Sequence, residues 1–385
     1  MNAVLFITDL LSGSRVPVLA GIRASAARHG WHVEPIEVVR LRQPVAEVLA
    51  YWKPAGCILE GSADKMPDAR DFAPTPLVHI DPGDRVLDGS CPFSVENDDE
   101  AIAELAHREL VRAGCEEFAF VGWSRRNRWS RRRGDRFARL VALTGRVCRV
   151  LEDPWTLGNK NEFFARLTPF VSSLPKPCGI FAANDAVAEA VLDACRQLGT
   201  TVPGEAMVVG ADDNPDFCDS LRPSLTSVRP DFRRAGFLAA EMLARRVRNP
   251  SEPCAHVKYA PLGVTPRLST RRLAVVGKRV ADALDLIRRE ACSGLKAADV
   301  VRAMGVTERL AETRFRAATG RRITEEIADV RLERVLEYLR DPAQEIGAIA
   351  NLCGWDADSY LKRLFKRKFG MTMREWRDRN REAAR

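Results

Sequence analysis

Two stretches near the carboxyl end repeat one pattern, and together they restrict the fold more than any other part of the chain. MGVTERLAETRFRAATG occupies residues 304–320 and CGWDADSYLKRLFKRKFG occupies residues 353–370. Phe315 precedes Gly320 as Phe365 precedes Gly370, by five residues, and a basic residue, Arg316 or Lys366, follows each Phe. Upstream, Gly305 closes the run KAADVVRAM and Gly354 closes IGAIANLC. Glycine takes the left-handed conformation at a helix end without steric cost, so the chain can turn sharply there. Thr307 and Asp356 then stand where an N-cap would accept hydrogen bonds from the free N–H groups of a following helix. A helix, a tight turn and a second helix, present twice, predict a pair of helix-turn-helix units. Between them Ala328, Leu332, Val335, Leu336 and Leu339 keep helical spacing, which predicts a connecting helix over 324–340 packed against both.

The second helix of the later unit is two-faced. Leu361, Leu364, Phe365 and Phe369 form an apolar stripe, and Lys362, Arg363, Lys366 and Arg367 fall opposite. Residues 362–385 hold ten Lys/Arg against three Asp/Glu. Of the chain's net charge of +8, residues 278–385 carry +6. A basic face alone is often merely solvated, but basicity concentrated on a repeated bihelical unit suits a phosphate-lined groove. Side chains near the start of each second helix should approach base edges: Arg309 and Glu312 in the first, Ala357, Asp358 and Lys362 in the second. Arg316, Arg363, Lys366 and Arg367 should grip phosphates, giving affinity without sequence information. A rigid connecting helix would hold the two readers one duplex turn apart, about 34 Å.

Residues 278–385 resemble the DNA-binding region of the AraC/XylS family of transcription regulators. The matching residues are Ala350 and Gly354, Ser359-Tyr360 followed by Phe365-Lys366, then Gly370 and Trp376-Arg377. Trp355 stands where the family usually has Phe, and Met373 where it usually has Pro; both are apolar and suit a core site.

The first 270 residues read differently. Short continuous apolar runs at 3–7, 56–59, 77–80, 117–122, 178–182 and 206–210, and VCRVL at 147–151, alternate with amphipathic helices. One helix carries Ile102, Leu105, Ala106 and Leu110, and another Val187, Ala190, Val191, Ala194 and Leu198. Phe237, Met242 and Leu243 contribute to a third. Continuous hydrophobicity belongs to parallel strands covered on both faces, so the expected fold is α/β: two lobes of doubly wound parallel sheet, followed by an all-α domain. Ligands of such sheets lie beyond the carboxyl ends of the strands. Glu60, Asn184, Asp185 and Asp212 follow strands directly, while Arg133 and Trp155 lie beyond two others. Carboxylates accept hydrogen bonds from sugar hydroxyls, Arg donates to them, and a Trp face can stack on a pyranose. Each residue has a plainer use as well; Asp185 could cap the helix at 186–198.

The segment CGIFAANDAVAEAVLDACRQLGTTVPGEAMVVGADD resembles the effector-binding domain of the LacI/GalR family and its periplasmic sugar-binding relatives. SVENDDEAIAELAHREL around Asp98 and LTSVRPDFRRAGFLAAEML from Leu225 extend the match over the first 270 residues. The resemblance implies hinge closure on a small carbohydrate, with Arg133, Trp155, Asn184, Asp185 and Asp212 as sugar contacts. A LacI/GalR-type DNA-reading head is not expected ahead of the first strand, and a reader of another type is expected after the sensor instead. Sensor first and AraC-type reader last is the order of the xylose operon regulators, which the chain resembles end to end. The expected domains are therefore a sensor at 1–272 and a reader at 278–385. Expected partners are double-stranded DNA, a small sugar effector with xylose as the favoured candidate, and a second copy of the chain as a homodimer. RNA polymerase is a further candidate partner.

Other classes find less support. There is no P-loop, GxSxG or GxGxxG motif; Ser62-x-x-Lys65 and His29-x-x-His32 occur without supporting partners, so no enzyme is expected. Ten scattered cysteines without a CxxC predict free thiols, no metal and no cofactor. MNAVLFITDLL has no basic start and contains Asp9, reading as a strand rather than a signal peptide, and no apolar run approaches the ~20 residues that cross a bilayer. A cytoplasmic protein is the expectation. A carbohydrate-binding protein without DNA contact is the rival, and it leaves residues 278–385 unexplained.

Overall fold

The computed structural model describes the chain except residues 1, 9–13, 38–43, 62–66, 84–92, 125–126, 153–159, 252, 272–277, 320, 341–343, 356 and 383–385. The chain divides into two compact units, Met1–Arg271 and Arg272–Arg385.

The apolar runs become the central strands of two six-stranded sheets in the first unit. One sheet contains β1 (Asn2–Thr8), β2 (Trp31–Glu37), β3 (Gly56–Glu60), β4 (Leu77–Ile80), β5 (Phe93–Asn97) and β11 (Ala255–Tyr259), in the order β11-β5-β4-β3-β1-β2, all parallel. The other contains β6 (Glu117–Val121), β7 (Cys148–Leu151), β8 (Cys178–Ala182), β9 (Ala206–Ala211), β10 (Thr226–Pro230) and β12 (Pro261–Thr265), in the order β12-β10-β9-β8-β6-β7. Among the described residues only β12 pairs antiparallel, with β10. Every residue of β3, β8 and β9 is buried, as strands covered on both faces require.

Helices supply the covers. On the first sheet, α1 (Arg15–Ala26) and α8 (Phe232–Arg248) enclose Val4, Phe6, Ile58 and Val78, while α2 (Val45–Trp52) covers Leu5, Ile7, Cys57 and Leu59 from the other face. On the second, α3 (Asp99–Arg112) and α4 (Arg128–Leu143) pack one face, and α5 (Lys160–Ser173), α6 (Asp185–Gln197) and α7 (Pro215–Ser220) pack the other. A Cβ at Gly21 would collide with the Arg233 carbonyl, and one at Gly236 with that of Val18, so α1 and α8 meet backbone to backbone. The chain passes between lobes after β5, after β10 and between β11 and β12. The expected two-lobed fold is present. Strands β2, β5, β10, β11 and β12 escaped the sequence reading because polar residues or proline interrupt their apolar runs.

The second unit is helical: α9 (Lys278–Glu290), α10 (Ala297–Met304), α11 (Glu308–Thr319), α12 (Ile323–Arg340), α13 (Ile349–Leu352), α14 (Asp358–Phe369) and α15 (Met373–Glu382). Gly305, Gly354 and Gly370 take φ of 62°, 72° and 73°, the left-handed turns that the repeat demanded. Helix α12 is the connecting helix, and it packs against α10, α11, α13 and α15. Its Leu332, Val335 and Leu339 share a core with Ile349, Leu361, Phe365, Trp355 and Met373, so both departures from the family pattern fill core sites. Helix α11 begins directly after Thr307, whose carbonyl accepts the Ala311 N–H at 2.8 Å. Asp356 lies outside the described residues, and the N-cap of α14 is Ala357, which offers no side-chain bond.

Candidate functional site

In the first lobe the strand ends are acidic. Glu60 is buried at the end of β3; its Oε2 accepts from the Thr8 hydroxyl at 2.6 Å and its Oε1 from the Ser14 hydroxyl at 2.5 Å. Asp81 follows β4 with φ of 52°. Its Oδ2 accepts from the Tyr259 hydroxyl at 2.8 Å and its Oδ1 from the Asn97 backbone N–H at 2.7 Å. Asn97 and Tyr259 end β5 and β11, so one carboxyl ties two of the interlobe crossings together. Burial pushes that carboxyl up to about 7 against the pull of both hydrogen bonds, and the charges of Asp99 and Glu60 add to the rise.

The second lobe brings cations and an aromatic ring to the same opening. Arg133, in the second turn of α4, is 4% exposed. Its Nε donates to Asp99 Oδ1 at 3.0 Å, its Nη1 donates to the Ala183 carbonyl at 2.7 Å, and the guanidinium lies 4.9 Å from the Trp129 ring. A buried charge of this kind persists only when its partners are present. Burial raises the Asp99 carboxyl and Arg133 pulls it back down. Asp81, Asp99, Asn97, Trp129, Arg128 and Arg132 line the opening, and Glu96 there receives Arg128 at 3.2 Å and Arg132 at 3.3 Å. Trp155 lies outside the described residues.

Asp212, which follows β9, completes the set. Burial, and next the charge of Asp185, push its carboxyl up to about 8, opposed by Arg133 and assisted by Asp81 and Asp99. Acids from both lobes therefore feel one another. Asp212 and Asp213 take φ of 123° and 50°, a strained run that costs about 1–3 kcal/mol per residue and is characteristic of ligand clamps.

Asn184 and Asp185 divide their tasks. The Asn184 side chain accepts from the Val187 N–H at 3.0 Å, so Asn184 caps α6 and the alternative in which Asp185 caps it is corrected. Asp185 turns inward. Its Oδ1 accepts from the Ser227 hydroxyl at 2.6 Å, and its Oδ2 from the Asp213 N–H at 2.8 Å and the Cys218 thiol at 3.2 Å. A Cβ at position 210 would collide with this carboxyl, which explains Gly210. Asp213 in turn accepts from Arg267 at 2.7 Å. Asp185 thus holds the turn that presents Asp212.

Asp81, Asp99 and Trp129 were not among the sequence candidates. Asp81 was detectable as the polar residue ending LVHI. Asp99 was masked by its neighbour Asp98, which is the cap of α3 and accepts from the Ala101 N–H at 3.2 Å. Of the short patterns set aside, His29 faces Glu241 at 3.4 Å and His32 faces Glu34 at 3.4 Å, while Ser62 and Lys65 lie outside the described residues.

In the second unit the buried pairs Ala311/Phe315 and Leu361/Phe365 orient α11 and α14. Opposite them stand Arg309, Thr313 and Arg316 on α11, and Ser359, Arg363 and Lys366 on α14, all exposed. Lys362, Arg367 and Ala357 are exposed as well; Glu312 and Asp358 are half-buried, and Asp358 Oδ2 receives Lys362 at 2.5 Å. Thr313 and Ser359 were not among the sequence candidates; turning each helix away from its buried pair places them on the outer face. Lys368 is directed to Asp329 on α12, which Arg321 also reaches at 2.5 Å. Among the described residues no helix is long and apolar enough to cross a membrane.

Residues 107–270 match the family model of a periplasmic binding protein-like domain, and residues 300–379 that of a helix-turn-helix domain. The chain is a DNA-binding transcription regulator in which a periplasmic-binding-protein-like domain precedes a helix-turn-helix domain. Within that class it is similar to the xylose operon regulatory protein of Escherichia coli (strain K12), 29% identical over 337 residues that make up 86% of each chain. Its counterpart in Haemophilus influenzae is 28% identical over 286 residues, 74% of each chain. The solved structure of a xylose-binding transcription activator superposes with a TM-score of 0.61 at 25% identity, covering 98% of this chain and 97% of that one.

Proposed function

We propose that the cleft of the sensor binds a pentose of the xylose type, and that closure on it changes how the chain engages the operator of a carbohydrate operon. The observation that carries this reading is the mutual proximity of Asp81, Asp99, Arg133 and Asp212, drawn from strand ends and helix starts of both lobes. Sugar hydroxyls donate to carboxylates and accept from guanidinium groups, while Trp129 offers a flat apolar face to a ring. Groups from two lobes that share one ligand favour the closed arrangement by their differential affinity for it. The similarity to xylose operon regulators supports a pentose over a larger sugar.

On this reading residues 1–272 sense and residues 278–385 read. Asp212 and Arg133 contact the sugar, joined by Asn184 and Trp155, while Glu60 and Asp185 hold the surrounding turns. Arg309, Glu312, Ala357, Asp358 and Lys362 approach bases, and Arg316, Arg363, Lys366 and Arg367 grip phosphates. The working form is a cytoplasmic homodimer on double-stranded DNA, with RNA polymerase as a further partner and with no catalytic step. Two-fold pairing suits operators built of repeated half-sites.

Isothermal calorimetry with D-xylose, L-arabinose, D-ribose, D-glucose and their phosphates tests the cleft. The expected result is saturable binding of an unphosphorylated pentose by the full chain, lost in Asp212→Ala. Binding of none of these sugars by a folded chain overturns the reading.

A further inference from the structure

Each reading helix carries one exposed large hydrophobic side chain, at the same place in each unit. Leu310 lies five residues before Phe315, and Tyr360 five before Phe365. Leu310 is 39% exposed and Tyr360 is 49% exposed. At helical spacing each sits beside the outermost column of its helix, which is Arg309, Thr313 and Arg316 on α11 and Ser359, Arg363 and Lys366 on α14. The Tyr360 ring stands 5.4 Å from the ring of buried Trp355, and the Arg331 guanidinium covers Trp355 at 5.1 Å, so the phenol is braced from behind. Cations set this surface against phosphate, and the floor of the major groove that lies between phosphates offers one apolar group, the thymine C5-methyl.

We propose that Leu310 and Tyr360 are specificity-determining residues that read thymine methyl groups, one through each helix-turn-helix unit. Charge complementarity commits the occupant: the polypeptide that follows Tyr360 is strongly basic, with ten Lys/Arg against three Asp/Glu over 362–385. The proposal rests on α11 and α14 being the groove-entering helices. Preferred duplexes then contain a required thymine in each of two subsites, about one helical turn apart.

The test begins with selection of duplexes from a random pool by the full chain. Each selected thymine is then replaced by deoxyuridine, which removes the methyl and nothing else. The expected loss is about threefold to fourfold in affinity at one thymine per subsite, the effect of burying one methyl group. Leu310→Ala abolishes the thymine-over-uracil preference at one subsite and Tyr360→Ala at the other, with salt dependence unchanged. Both side chains are exposed, and unaltered melting of the variants confirms their fold. Lys366→Ala serves as the control and weakens thymine and uracil duplexes alike. Equal binding of thymine and uracil duplexes by the unaltered chain, or a preference that survives Leu310→Ala and Tyr360→Ala, overturns the proposal while duplex reading by α11 and α14 stands. A chain that selects no sequence and binds no duplex overturns both.

Discussion

In the sensor, Arg133 is 4% exposed and meets Asp99 across 34 residues of sequence, whereas in the reader Lys366 is exposed and lies one turn from Arg363. Arg133 and Asp99 were removed from water during folding, so each survives by its partner and the loss of one is felt by the lobe around it. Arg363, Lys366 and Arg367 stay exposed on α14, which leaves them available to phosphate, whereas cations such as Arg331 and Arg377 hold the reader's own fold. A basic side chain therefore has opposite consequences at these two places.

Truncation should expose that difference most strongly. Arg133→Ala leaves Asp99 buried without its cation and should cost the sensor about 3–5 kcal/mol, whereas Lys366→Ala should stay within about 0.5 kcal/mol. Chemical denaturation followed separately through each unit checks this, and comparable losses would break the comparison.

Proton binding should separate the units next. Asp81 and Asp212 are raised from 3.8 to about 7 and about 8, so the folded sensor keeps protons that the unfolded chain has released. Its ligand-free stability should accordingly fall as pH rises from about 4 to about 8 and level off beyond. The reader has the opposite sign at Glu375, whose carboxylate accepts the Thr372 N–H at 2.7 Å and is held below its usual range; that contribution is lost on acidification. Sugar hydroxyls donating to Asp81 and Asp212 favour their ionised forms, so pentose binding should release protons and tighten from pH 6 to pH 8. Calorimetry in buffers of different ionisation heat would register proton uptake instead if the assignment is wrong.

Duplex affinity gives a smaller, cleaner effect. Lys366→Ala should weaken all duplexes about equally and reduce the salt dependence by about one unit of slope. A changed sequence preference with an unchanged slope would move Lys366 from phosphate to base.

The smallest effect is chemical. The Cys353 thiol hydrogen-bonds Cys292 and holds it below the usual thiol range, with Arg334 and Arg331 helping, whereas burial pushes Cys57 up to about 12. Cys292 should alkylate with iodoacetamide at neutral pH while Cys57 does not, as peptide mapping would show; the reverse order would contradict these environments.

The units also differ in how far the sequence foretold them. Helical periodicity is local, so α10 to α14 and their glycine turns were readable from residues three and four apart. Thr313 and Ser359, on the outer face of their helices, are uncharged and so did not stand out in a reading that followed the basic residues. The central strands of the sensor were equally plain as apolar runs. Its candidate site was less so, because Asp81 is held in place by Asn97 and Tyr259, and Asp99 by Arg133, through contacts that no local pattern encodes. Asn184 and Asp185 were found as a pair, but which one caps α6 was settled by the burial of Asp185 against Ser227 and Cys218.

Fluorescence anisotropy of a labelled operator duplex, titrated with the full chain in the absence and presence of saturating pentose, tests the link between the units most directly. The account predicts a shift of about tenfold in the duplex dissociation constant, lost in Asp212→Ala. Superimposable curves, with the pentose shown by calorimetry to be bound, would contradict it.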